Sequence, residues 1–179
     1  MEVINITTPL TTDMARQLQA GQLLLISGTI YTARDAAHKR LMGMLDRGEE
    51  SPFPLKNQIV YYAGPTPPAP GAVVGSIGPT SGYRMDAFAP RLYKLGVTAS
   101  MGKGGRSLEV VASLKQYGAV YLAAIGGLGA LLSKHVTAVE MVAFEDLGTE
   151  AVRKLTVEKF PAIVAIDSKG VSVYERNSV

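Results

Sequence analysis

The segment Gly75-Ser76-Ile77-Gly78-Pro79-Thr80-Ser81-Gly82-Tyr83-Arg84-Met85-Asp86 gathers special backbone and polar chemistry into twelve positions. Glycine lets a ligand approach the main chain closely, and Pro79 fixes its own φ and restricts the residue before it. Thr80 and Ser81 are therefore expected on a stiffened turn, whose free N–H groups could form an anion-binding nest beside the fork of Arg84. We interpret the segment as a ligand-binding loop; the alternative is a surface turn with a solvated arginine.

The composition is that of a globular, rather apolar protein. The 179 residues are 47% hydrophobic and 18% charged, which predicts one domain, residues 1–179, with part of its apolar surface facing a partner. The net charge of +3 comes from scattered Lys and Arg residues and aromatic residues are only 7%, so a nucleic-acid partner is not expected. A small anionic ligand fits this balance better.

Cysteine and histidine usage limits the metal chemistry of the chain. There is no cysteine, and His38 and His135 are the two imidazoles, so we expect no metal site and no iron–sulfur cluster held by this chain alone. The first residues lack the pattern of a signal peptide, and the longest apolar run, 119–132, is interrupted by glycines and too short for a bilayer. We therefore expect a cytoplasmic protein without a membrane partner.

Hydrophobic periodicity predicts a mixed order of strands and helices, hence an α/β domain whose strands are not all parallel. Strands are predicted at 1–10, 22–30, 58–63, 97–101, 119–125, 136–144, 152–160 and 162–166, the last forming a terminal hairpin with 171–174. Helices are predicted at 12–19, 32–46, 85–95, 107–117 and near Leu131, with Pro90 either breaking the third or opening a second helix there.

The helix over 32–46 carries two unusual side chains on its covered side. Thr32 and Asp35 have the spacing of a capping box with Asp in place of Glu or Gln. Arg34 lies near the buried stripe and needs an anionic partner; it could equally reach water or pair with Asp35 or Glu50. His38 is interpreted as a structural histidine with its hydrogen bonds satisfied.

Two further glycine-rich turns are weaker signals. The turn Gly102–Ser107 precedes a helix and contains Lys103, which fits either an anion contact or a solvated lysine. It lacks the eight-residue phosphate-loop pattern. The GGxG sequence at 126–129 is a weak signature for dinucleotide binding. We interpret it instead as a candidate surface for contact with a partner.

Five motifs in order resemble one known family. They are SGTIYTARDAAH at 27–38, YAGPT at 62–66, GPTSGYRMD at 78–86, MGKG at 101–104 and FPAIVAIDSKG at 160–170. Together they resemble the β subunit, or C-terminal domain, of class I iron–sulfur fumarate hydratases and L-tartrate dehydratases. The resemblance implies a swivelling β/β/α domain and one half of a hydro-lyase, either fumarate hydratase or tartrate dehydratase. The alternative outside the enzymes is a non-catalytic dicarboxylate-binding module.

The resemblance also implies roles and partners. It places a [4Fe–4S] cluster in a cysteine-bearing α subunit and suggests an α2β2 assembly. It carries dicarboxylate contacts onto Arg34, Arg84 and Lys103, and a proton-handling hydroxyl onto Thr80. The residues considered as supports for these groups are Asp35, His38, Ser81 and Asp86. Tyr83, within Thr80-Ser81-Gly82-Tyr83-Arg84, departs from the family's usual pattern of hydroxyl residues and leaves the choice of substrate open.

Overall fold

The computed structural model describes residues 2–124 and 129–175. Within these ranges the strands are β1 (Val3–Thr7), β2 (Leu23–Thr32), β3 (Ile59–Tyr61), β4 (Ala99–Gly102), β5 (Val120–Ala123), β6 (Val136–Ala143) and β7 (Val152–Ile166). The α-helices are α1 (Thr12–Gln17), α2 (Asp35–Asp46), α3 (Ala89–Lys94), α4 (Leu108–Tyr117) and α5 (Gly129–Leu132). Short 3₁₀ turns occupy Gly82–Met85, Ser133–His135 and Glu145–Glu150. The mixed α/β class predicted from the sequence is confirmed.

The strands form one mixed sheet that closes on itself. Strands β1 to β5 pair in parallel in that order, and β7 runs antiparallel to β2, β5 and β6. Because β7 pairs with both β5 and β2, the strands β2, β3, β4, β5 and β7 make a ring. The ring therefore contains the parallel strands β3 and β4 and is closed by the long antiparallel pair of β2 and β7. The carboxyl ends of β3 and β4 carry the site.

Two apolar clusters lie on opposite faces of the strands. Ile59 and Tyr61 belong to a cluster shared by all five ring strands, whereas Val60 packs in a second cluster with the helices. This alternation follows from the two-residue period of a strand, and burial on both faces explains why β3 reads as a continuous apolar run. Helices α2, α3 and α4 contribute Leu41, Leu92 and Leu114 to the second cluster.

The capping box predicted at Thr32 is wrong. Thr32 is the last residue of β2, and its hydroxyl accepts a hydrogen bond from the Arg153 backbone N–H at 3.2 Å. Helix α2 begins three residues later, at Asp35, with Arg34 at the N-cap and no side-chain cap. The hydroxyl is used by the β7 neighbour, so it is not available to the helix.

Two proline predictions had different outcomes. Pro90 opens a second helix, α3, which ends before Gly96, as one of the two sequence alternatives stated. Pro161, expected to separate two strands, lies inside the continuous strand β7 opposite Leu25. The terminal hairpin is reduced to a turn, closed by an isolated bridge between Ile166 and Ser172.

The GGxG sequence lies largely outside the described residues, which resume at Gly129. Among the helices that the structure describes, none has the length and apolar character needed to cross a membrane.

Candidate functional site

Backbone hydrogen bonds bring the loops after β3 and β4 together. The Thr80 N–H donates to the Tyr62 carbonyl at 2.7 Å, and the Lys103 N–H donates to the Thr80 carbonyl at 3.1 Å. The Gly82 N–H returns to the Lys103 carbonyl at 2.8 Å, so 80–82 runs beside Lys103 like a short parallel strand. Thr80, partly buried, and Lys103, exposed, are thereby adjacent at the carboxyl ends of parallel strands, the usual location of ligand sites in such sheets.

These bonds limit the anion-nest prediction. The N–H groups of Thr80 and Gly82 donate to backbone carbonyls, so these two groups are not free to bind an external anion.

Arg84 reaches from the 3₁₀ turn to the start of α2. Its Nε and one terminal nitrogen each lie 3.0 Å from Asp35 Oδ2. Both side chains remain substantially accessible, at 40% and 36% exposure. The pair joins the loop of Thr80 to the segment that holds Arg34.

Arg34 packs against the backbone at Gly64. A Cβ added at Gly64 would lie 3.0 Å from Arg34 Cδ and 2.8 Å from the Thr149 carbonyl, so a larger residue would displace the arginine. Arg34 forms no ion pair with a described residue, and the alternative pairing with Asp35 or Glu50 does not occur. Its Nε is buried without a hydrogen-bond partner. The guanidinium is thus held in place without a carboxylate from the part of the chain that the structure describes.

His38 is buried next to Arg34, against two aromatic rings. The ring stacks on Phe88, with centroids 5.6 Å apart, and meets the edge of Tyr62 at 5.5 Å. Burial lowers the pKa of His38 to about 4, so the imidazole is neutral near pH 7. Its Nδ1 lies 2.9 Å from the Arg34 carbonyl and must carry the hydrogen to donate there, which leaves Nε2 as a buried acceptor without a partner among the described residues. The prediction that the hydrogen bonds of His38 are satisfied therefore holds for Nδ1 and is wrong for Nε2.

Asp86 is largely buried and contacts Arg106 and the start of α4. One carboxylate oxygen lies 2.6 Å from Arg106 Nε, and the other accepts the Ser107 N–H at 2.8 Å. Ser107 also caps α4 by accepting the Val110 N–H. The Ser107 N–H at the start of α4 is therefore already bound to a carboxylate of its own chain, and the anion contact suggested for the turn Gly102–Ser107 rests on Lys103.

Arg106 is the residue of this region that the sequence did not single out. Its side chain is completely buried and lies beneath Gly82, where an added Cβ would come 2.8 Å from Arg106 Cδ. The available signal was an aspartate and an arginine at the ends of two neighbouring glycine-rich turns, Asp86 and Arg106.

Three cationic residues and one threonine consequently lie on connected segments at the carboxyl ends of the parallel strands β2, β3 and β4. Arg34 precedes α2, Arg84 is linked to it through Asp35, and Lys103 adjoins Thr80 through the backbone. Such a set is suited to a small anion with more than one carboxylate. Within residues 2–124 and 129–175, no three His, Cys, Asp or Glu side chains are grouped to hold a metal ion.

Comparisons with known proteins agree on one family. The model of the family described as fumarase C-terminus matches residues 1–177. The chain is 43% identical over 172 residues to a Methanocaldococcus jannaschii protein provisionally named L(+)-tartrate dehydratase subunit beta, covering 93% of this chain and 88% of that protein.

Two fumarate hydratases are also similar to it. Identity is 39% over 162 residues with fumarate hydratase 2 of Leishmania major, covering 89% of this chain and 28% of the relative. It is 36% over 177 residues with the aerobic class I fumarate hydratase of Escherichia coli, covering 97% and 32% respectively. The chain therefore spans about a third or less of the length of these two enzymes.

Proposed function

The chain belongs to the fumarase C-terminus family, and from this premise we propose that it is the β subunit of an iron–sulfur hydro-lyase interconverting fumarate and L-malate. The observation that carries the proposal is the convergence of Arg34, Arg84 and Lys103 around the Thr80 loop. We also propose that residues 1–179 are one swivelling β/β/α domain, for which the closed ring of strands with α2, α3 and α4 packed on one side is the structural support.

The cations account for recognition of a dicarboxylate. Arginine offers a planar fork that matches a carboxylate with two parallel hydrogen bonds, whereas lysine supplies a point charge. Arg34 and Arg84 are assigned to the substrate carboxylates, and Lys103 to a carboxylate or the hydroxyl. Arg34 forms no ion pair with a described residue, so no carboxylate of these residues neutralises its charge and it remains available to such a ligand.

Thr80 is proposed to handle the proton at C3 of malate. Loss of this proton leaves negative charge that is delocalised into the adjacent carboxylate. Departure of the hydroxyl from C2 then gives fumarate. Clustered cations stabilise that developing charge. A threonine hydroxyl is a weak base by itself, so neighbouring cations or a carboxylate from another chain must activate it.

The residues of this chain do not fit the [4Fe–4S] cluster of the family, because the sequence has no cysteine to ligate it. We therefore assign the cluster, which would supply a Lewis-acidic iron for the substrate hydroxyl, to a cysteine-bearing α subunit in an α2β2 assembly. The cytoplasmic location expected from the sequence stays a prediction.

Tartrate is the second candidate substrate. It is favoured by the similarity to the Methanocaldococcus jannaschii protein, which this chain covers to 88% of its length. Tyr83, 66% exposed and next to Arg84, is the residue most suited to distinguish substrates that differ by a hydroxyl group.

The test is anaerobic co-expression with the candidate cysteine-bearing partner, followed by purification and assay. Fumarate is followed by its ultraviolet absorbance, and tartrate dehydration by coupled detection of oxaloacetate. Turnover of fumarate but not tartrate supports the proposal, whereas turnover of tartrate alone replaces it by the second candidate. An assembled complex with an intact cluster and neither activity would leave the binding-module reading.

A further inference from the structure

We propose that Arg106 is the positioning residue of this site: its buried guanidinium holds the Thr80–Arg84 segment against the Lys103 turn. The proposal rests on the proposed function for its effect on turnover. Arg106 is 0% exposed, so it cannot touch the substrate and must act through the groups that it supports.

The first support is a set of polar contacts that joins separate elements. Arg106 Nε donates to Asp86, which follows the 3₁₀ turn of Arg84. The two terminal nitrogens lie 3.3 Å from Ser100 Oγ in β4 and 3.3 Å from Tyr62 Oη after β3. One side chain thus ties the carboxyl ends of β3 and β4 to the loop between residues 78 and 86.

The second support is the pair of aromatic rings around the guanidinium. Its central carbon lies 5.2 Å from the centre of the Tyr62 ring and 4.6 Å from that of Tyr121. The same tyrosines hold the site loops: the Tyr62 carbonyl accepts the Thr80 N–H, and the Tyr121 hydroxyl donates to the Gly104 carbonyl at 3.0 Å. A shift of the arginine would therefore be transmitted to both loops.

The third support is the absence of room above the arginine. Gly82 lies directly on it, since an added Cβ would clash with Arg106 Cδ and with the Tyr121 hydroxyl. Gly82 stands between Thr80 and Arg84, so the position of this backbone depends on where the Arg106 side chain lies. Lysine also has a Cδ, but it lacks the planar fork that stacks on aromatic rings and binds several acceptors, so it cannot hold the side chain in the same place.

The test compares Arg106→Lys with Arg91→Lys in the reconstituted α–β complex. Arg91 is the matched control, since it is an arginine of α3 whose side chain is 40% exposed and pairs with Asp46 at 2.6 Å. We expect Arg106→Lys to lower kcat about 100-fold while KM for the dicarboxylate changes less than about threefold, because small misplacement of reacting groups costs rate. Arg91→Lys should retain both constants. A kcat for Arg106→Lys within twofold of wild type would overturn the proposal.

Asp86→Asn is the second variant, and it tests the positioning role of Arg106 if Arg106→Lys does not assemble with the α subunit. It keeps an acceptor near Ser107 but removes the charge that holds Arg106, and the same selective loss of kcat is expected. Wild-type kcat in Asp86→Asn, or a loss that only follows the fraction of assembled complex, would overturn the proposal.

Amide hydrogen exchange on the full chain separates this inference from the proposed function. Arg106→Lys should speed exchange of the Thr80, Gly82 and Lys103 amides at least about tenfold relative to Arg91→Lys, since these N–H groups bridge the two loops. Unchanged exchange would contradict the positioning role even if the complex is active. An inactive wild-type complex with faster exchange in Arg106→Lys would count against the proposed function alone.

Discussion

Asp35 accepts a hydrogen bond from Arg84 Nε at 3.0 Å on Oδ2, and a terminal nitrogen of Arg84 lies 3.0 Å from the same oxygen in an ion pair. The other oxygen of Asp35 is buried without a partner among the described residues, as is the Nε of the adjacent Arg34. This carboxylate therefore holds Arg84 through one oxygen, and its second oxygen makes no hydrogen bond with a described residue. Its charge sets the orientation of Arg84 in the absence of an anionic ligand.

Replacement of Asp35 by Asn should lower kcat/KM in the assembled complex by about 10- to 100-fold, because Arg84 loses the charge that orients it. The free energy of unfolding should change by no more than about 1 kcal/mol, since the ion pair is substantially exposed. Steady-state kinetics and urea denaturation measure the two effects. Asp46→Asn, which removes the partner of Arg91, is the control. Equal kcat/KM in the two variants would refute the orienting role.

Thr80→Val should reduce kcat at least about 100-fold, because the hydroxyl is removed while the shape of the side chain is kept. Thr80→Ser should retain kcat within about tenfold, since it preserves the hydroxyl. The Thr80 N–H bond to Tyr62 is made by the backbone and is common to both variants. Initial rates on fumarate and malate provide the measurement. Similar rates for the two variants would exclude a proton-handling role.

Gly82→Ala should destabilise the chain by about 1–3 kcal/mol through overpacking. The added methyl would meet the Tyr121 hydroxyl and come 2.8 Å from Arg106 Cδ, both of them held in the protein interior. Gly105→Ala is the matched control in the neighbouring turn, where a Cβ meets nothing within 4 Å. Denaturant unfolding of the two variants gives the comparison, and equal stability would show that the loop can rise off Arg106 without cost.

His38→Gln should reduce the acid sensitivity of folding. Burial lowers the pKa of His38 from 6.5 to about 4 in the folded chain, so the unfolded chain binds the extra proton as pH falls between these values. Stability is therefore fully present above pH 6.5 and is lost on acidification, by up to about 3 kcal/mol at pH 4.

Unfolding free energies at pH 7 and pH 5 test this prediction, with the difference between wild type and His38→Gln isolating the imidazole from nearby Asp35 and Arg106. His135→Gln, which removes the other imidazole, is the control. An acid-side slope as steep in His38→Gln as in wild type would contradict the assignment.

The mixed α/β class and most helices and strands could be predicted from the sequence. The spacing of apolar residues, and the glycines and prolines that end each element, depend only on local sequence. Prediction failed at Thr32, where the hydroxyl binds the distant Arg153 backbone instead of capping α2. Pro161 is tolerated inside β7 opposite Leu25 of β2, because it falls between the segment paired with β6, 152–157, and the segment paired with β5, 163–166, so its missing N–H removes no bond to either of those two strands.

The site was predicted only in part, because sequence motifs are local and do not show contacts between distant residues. Arg34, Arg84, Lys103 and Thr80 stand in motifs, and the fold brings them to one end of the sheet. Whether they act on a substrate stays a prediction. The supporting partnerships, Arg84 with Asp35 and Asp86 with Arg106, join residues 49 and 20 positions apart. Residue spacing could not reveal such pairs, and Arg106 looked like another loop cation.

The central claim is that this chain supplies cationic substrate-binding groups to a site completed by a cysteine-bearing subunit. The most direct measurement is fumarate hydration by the anaerobically reconstituted complex carrying either wild-type chain or Lys103→Ala, with cluster content and assembly verified. Lys94→Ala, an exposed lysine at the end of α3, is the control. We predict loss of turnover by at least about 100-fold in Lys103→Ala alone. Full activity of an assembled Lys103→Ala complex would contradict the account.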